Sequence, residues 1–92
     1  MTQSSPATLF FGANRRKILA LLLLHPDKSF YVREIARITD IPAGGSLNRE
    51  LKLLANAGLL TRATVGKQVR YQANRDSPVF TEFASIFRKT AG

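Results

Sequence analysis

The sequence contains no cysteine and a single histidine, and its acidic residues are few: six Asp and Glu against 14 Lys and Arg. Without cysteine there is no disulfide, no thiolate metal site and no thiol nucleophile. His25 has no neighbouring Ser or Asp motif, so it makes no catalytic triad, and alone it is too little for a metal site. The six acids are scattered without paired-carboxylate spacing, and no glycine-rich phosphate loop follows a strand. These absences exclude the familiar catalytic sets. The chain is expected not to be an enzyme and to use neither a metal nor an organic cofactor.

Long hydrophobic runs are missing too. The longest, Ile18 to Leu24, falls well short of the roughly 20 residues that span a bilayer. Met1 to Ser5 is polar and uncharged and lacks the basic start of a signal peptide. The expectation is a cytoplasmic protein with no membrane association. No internal repeat and no low-complexity block interrupts the chain.

What remains is a 92-residue chain that is 45% hydrophobic, enough for one domain with a modest core. Its net charge of +8 attracts polyanions, meaning nucleic acid or an anionic surface. Residues 1–8 read as a flexible tail and residues 9–92 as the domain. Gly12 punctuates, and Asn14 is a candidate N-cap for a first helix from Arg15 to Leu24, with Ile18, Leu19, Leu22 and Leu23 inward. Pro26 stops it. Ser29 to Tyr31 suits a short edge strand. Val32 to Thr39 reads as a second helix with Val32, Ile35 and Ala36 on the core side and Ile38 close by. Asp40-Ile41-Pro42 is a tight turn. A third helix runs from Ala43 or Gly45 to Ala57, where Leu47, Leu51 and Leu54 form one stripe and Gly58 is a left-handed stop.

Leu59 to Val65 and Gln68 to Ala73 read as two strands with Gly66-Lys67 at the tip. Leu60, Val65, Val69, Tyr71 and Ala73 supply the alternating apolar set. Ser77-Pro78 starts a last helix, about residues 78–89, carrying Val79, Phe80, Phe83 and Phe87. The fold class is therefore mainly α with a small antiparallel sheet, in the order helix, strand, helix, helix, strand, strand, helix.

Two helices joined by a few residues and followed by a basic hairpin resemble the winged helix-turn-helix family of prokaryotic transcription regulators. The stretches that carry the resemblance are Arg16-Lys17-Ile18-Leu19, Phe30-Tyr31-Val32-Arg33-Glu34-Ile35-Ala36, Leu47-Asn48-Arg49-Glu50-Leu51 and Ala57-Gly58-Leu59-Leu60. The chain looks closest to the ArsR-like type, some of whose relatives are joined to a nucleotidyltransferase domain not present in this sequence. Asp40 stands where the family commonly has Gly.

The resemblance implies a sequence-specific regulator that binds double-stranded DNA. Residues 45–57 would enter the major groove, and the basic wing, residues 60–73, would lie on the backbone or in the minor groove. Asn48 would read adenine and Arg49 guanine, Ser46 would reach base or phosphate, Lys52 would meet phosphate, and Arg33 and the Arg15-Arg16-Lys17 cluster would flank the site. Arg62, Lys67, Gln68 and Arg70 would supply the wing contacts. Lys67 and Arg70 serve equally as charges that protect an edge strand, and Tyr31 and Tyr71 suit sheet packing. The aromatic stripe of Phe80, Phe83 and Phe87 either closes the core against the first helix or, with Leu9 and Phe10, forms a homodimer interface. The competing function is a protein-interaction module docking an acidic partner, for example a separate nucleotidyltransferase-type enzyme.

Overall fold

The computed structural model describes residues 6–78 and 80–91, with side chains described for 12–78, 80–82, 85, 88 and 89. Among them are four helices and one three-stranded antiparallel sheet: α1 (Pro6–Leu23), β1 (Phe30–Tyr31), α2 (Val32–Thr39), α3 (Gly45–Asn56), β2 (Leu60–Val65), β3 (Gln68–Ala73) and α4 (Phe80–Ala91). The element order is the one the periodicity gives. No described helix is long and apolar enough to cross a membrane.

The first helix is longer than its sequence punctuation suggests. It is described from Pro6, so Ala7 and Thr8 are helical; residues 1–5 lie outside the described residues. Proline suits the first helical turn, and an interior Gly12 costs only about 1 kcal/mol relative to alanine. Asn14 does not cap. It lies four residues before Ile18 and eight before Leu22, so it falls on the inward stripe and is buried. Arg15, Arg16 and Lys17 consequently sit in mid-helix, away from the positive end of the dipole where they would be disfavoured.

Among the described residues fourteen buried apolar ones form the core, with Ile18, Leu22, Leu23, Ile35, Leu47, Leu51 and Tyr71 the largest fully enclosed. Each such side chain contributes roughly 1.5–3 kcal/mol by leaving water. Ile38 does not join them; it is 48% exposed, because the arc that buries Ile35 and Ala36 turns it outward. Thr39 takes the buried place at the end of α2 and donates its hydroxyl to the Ile35 carbonyl.

Local signals set the boundaries. The Glu34 carboxylate accepts the Tyr31 N–H at 2.9 Å, fixing the start of α2. Asp40 ends α2 in the left-handed region at φ 58, ψ 40, which explains the usual preference for glycine there. Ile41 is buried behind that turn. At the end of α3, Gly58 N–H donates to the Ala55 carbonyl and Leu59 N–H to the Leu54 carbonyl, a Schellman closure with Gly58 at φ 87.

The sheet order is β1-β3-β2. β2 and β3 pair from Leu60 opposite Ala73 to Val65 opposite Gln68. β1 covers only Tyr71 and Arg70, so the outer half of the hairpin stands clear of it. Leu60, Tyr71 and Ala73 are buried, whereas Val65 is 49% exposed near the tip, beyond the reach of the core. The hairpin base is clipped down: Asn74 Nδ2 donates to the Gly58 carbonyl and Gln72 Nε2 to the Pro26 carbonyl, both at 2.8 Å.

The last helix, α4, is described from Phe80 to Ala91; Phe80 N–H donates to the Ser77 carbonyl, and residue 79 lies outside the described residues. α4 packs against α1. Phe80 is half-buried against the core.

Candidate nucleic-acid interface

The surface around α3 is organised by the helix period. At about 100° per residue, Leu47, Leu51 and Leu54 point to the core and Arg49 lies on the opposite face. Asn48 and Lys52 fall to one side of Arg49, and Ser46 and Leu53 to the other. The two sides meet different neighbours.

On the first side, α3 faces the hairpin. An open cleft of about 270 Å³ is lined by Asn48 and Lys52 from α3, Arg62 from β2 and Gln68, Val69 and Tyr71 from β3, with Tyr31, Val32 and Arg33 closing its end. Arg33, Lys52 and Arg62 are exposed, and no acidic side chain lines the cleft. A second depression continues past Lys52 and Arg62 to Ala55 and Asn56. Both the main-chain N–H and the side-chain Nδ2 of Asn48 donate to the Gly44 carbonyl at 3.0 Å. That holds the amide at the entry to α3 and leaves its Oδ1 and second Nδ2 hydrogen for another partner.

On the second side, Ser46, Arg49 and Leu53 share a shallow depression with Arg15 and Glu50. Glu50 is a buried carboxylate, and Arg15 of α1 reaches across to it through Nε. The Glu50 hydrogen bond and charge raise the Arg15 guanidinium above its usual range, outweighing the opposing effect of burial. The pair neutralises this flank and ties α1 to α3.

Of the residues singled out from the sequence, the cleft brings together Arg33, Asn48, Lys52, Arg62 and Gln68. Ser46 and Arg49 do not line it. Lys67 stands exposed in the two-residue turn at the tip, beside Gly66 at φ 63. Arg70 lies with its guanidinium 4.5 Å from the centroid of the Tyr31 ring, and its Nε is buried without a hydrogen-bond partner. Such stacking holds a cation in place with about 0.5–2 kcal/mol.

Sequence reasoning missed Tyr31 as the support of Arg70, and it missed the apolar floor of Val32, Val69 and Tyr71. The signal lay in the pairing of Tyr31 with Arg70, which depends on register between strands far apart in sequence. Phe80 packs on its own core, while the side chains of Leu9, Phe10, Phe83 and Phe87 lie outside the described residues. Among the described residues no group of three His, Cys, Asp or Glu converges on a metal position.

Comparison with protein-family models, with curated proteins and with solved structures finds no match to this chain.

Proposed function

We propose that the chain is a winged helix-turn-helix protein that binds double-stranded DNA and regulates transcription, with α3 in the major groove and the β2–β3 hairpin as the wing. One observation carries this reading. The exposed side of α3 and the inner face of the hairpin share a cleft with three exposed cations and no acid. A helix flanked by a basic strand pair matches the duplex, whose major groove admits one helix and whose phosphates flank it. Arg49, on the outermost line of α3, is the base-reading side chain in this arrangement, with Asn48 and Ser46 on either side. Arg33, Lys52, Arg62, Lys67 and Arg70 meet phosphate, and Gln68 meets backbone or minor-groove edge.

In this reading the protein acts as a homodimer and so reads a two-fold symmetric site. Sedimentation at working concentration gives the mass directly.

The test is selection from a randomised duplex library followed by a salt titration of the retained sequence. A palindromic motif and a steep log-linear loss of affinity with salt support the proposal. Sequence-blind binding, or none, overturns it. A second reading is a protein-interaction module docking an acidic partner, to which the exposed Leu53 and Ile38, 50% and 48% accessible, would add apolar contact. Binding to such a partner would weaken with salt too, but no duplex sequence would be selected from the library.

A further inference from the structure

The cleft between α3 and the hairpin has a feature that phosphate contact does not use. Its floor is apolar: Val32 and Val69 are half-buried and Tyr71 is only 2% exposed, yet all three line it. Its rim is cationic, with Arg33, Lys52 and Arg62 exposed around that floor. Tyr71 belongs to the core and Val32 and Val69 pack against it, and the apolar surface they leave in the cleft is surface that a phosphate does not use. A fully hydrated ion gains nothing from it.

We infer that this cleft binds a small organic anion, a single aromatic ring bearing a carboxylate, with the ring on Val32, Val69 and Tyr71 and the carboxylate among Arg33, Lys52 and Arg62. Size sets the class. At about 270 Å³ the cleft lies just under the range of ordinary ligand pockets and takes one ring, not a dinucleotide or a fused polycycle. Charge sets the sign, since no carboxylate on the lining repels an anion. Planar guanidinium groups suit a carboxylate because their paired N–H donors match its two oxygens. Burying one face of the ring adds about tenfold to thirtyfold in affinity over a bare carboxylate. The binding itself does not depend on the DNA reading. Its consequence does: the occupied cleft neutralises the cations that would otherwise meet phosphate, so ligand and duplex exclude one another.

The experiment is a titration of the intact chain with benzoate, followed by amide and methyl NMR and by calorimetry, with acetate, benzamide and inorganic phosphate as comparison probes. The expected result is one saturable site that shifts the Val32, Val69 and Tyr71 resonances. Acetate and benzamide should each bind at least about tenfold more weakly. Arg62→Ala should weaken benzoate about fivefold to tenfold, while Arg88→Ala, on α4, leaves it unchanged. Val69→Ser should weaken benzoate and leave phosphate alone, and a retained amide spectrum shows that each variant is folded. Equal binding of acetate, phosphate and benzoate overturns the inference, because the cleft then reads charge only. Absence of any shift on Val69 and Tyr71 overturns it as well. DNA binding is measured on the same samples without benzoate, so failure of the ligand site and failure of the DNA reading are separate results. If both hold, saturating benzoate lowers duplex affinity.

Discussion

Both flanks of α3 carry cations, but only one carries an acid to pair with them. Toward α1, the cation Arg15 is held by the buried Glu50, and the charge is consumed inside the fold. Toward the hairpin, Arg33, Lys52 and Arg62 surround an open cleft with no acid to meet them. The difference lies in that one acid. One carboxylate on the inner edge of a helix turns a neighbouring arginine into a fastener, and its absence on the other edge leaves cations for an external anion.

The comparison breaks most plainly by reversing charge on the open side. Lys52→Glu combined with Arg62→Glu should lower duplex affinity at least about 100-fold at low salt and cut the salt slope by about two. Fluorescence anisotropy across a salt series reads both, and an unchanged slope would remove this flank from the interface. Between the flanks, Arg49→Ala should lower affinity for the selected duplex by about 1–3 kcal/mol and relax preference at one base position. An equal loss on random duplex would make Arg49 a phosphate contact.

The closed flank should answer in stability, not affinity. Arg15→Ala leaves the Glu50 carboxylate buried without its partner. Because Arg15 is itself about half exposed, solvent screens the pair and the loss should be modest, about 1 kcal/mol. Denaturant unfolding measures it, and adding Glu50→Gln should recover part of it. The sign of the pH dependence follows from the raised guanidinium: the contribution is complete below the ordinary arginine range and fades only as pH rises through the folded value. Ordinary buffers should therefore leave it unchanged on the arginine side. The smallest effect concerns the turn between α2 and α3. Asp40→Gly relieves a left-handed aspartate and should raise stability by about 0.5 kcal/mol, with DNA affinity unaltered.

Much of this fold was legible in the sequence because its signals are local. The Leu47, Leu51, Leu54 stripe, the Gly58 stop and the Gly66-Lys67 tip each reflect a few consecutive residues. Where tertiary packing decides, local reading fails. Gly12 and Asn14 look like punctuation, yet the helix runs through both and Asn14 is buried beside the core. The same division holds at the candidate site. The basic residues of α3 and the hairpin could be named from their spacing. The Arg15–Glu50 pair spans 35 residues, and the stacking of Arg70 on Tyr31 needs the β1–β3 register, so neither leaves a local trace.

The hairpin is secured at one end only. Its base is clipped to Gly58 and Pro26 through Asn74 and Gln72, while every residue from Thr61 to Gln68 is exposed. Mechanically this is a cantilever, stiff in the angle at which it leaves the body and compliant along its free length. Amide protons near the tip should therefore exchange with solvent through local fraying, and those near the buried Tyr71 only on wider opening, which hydrogen exchange reads. Such a beam keeps its direction while its end follows a surface whose width varies from place to place.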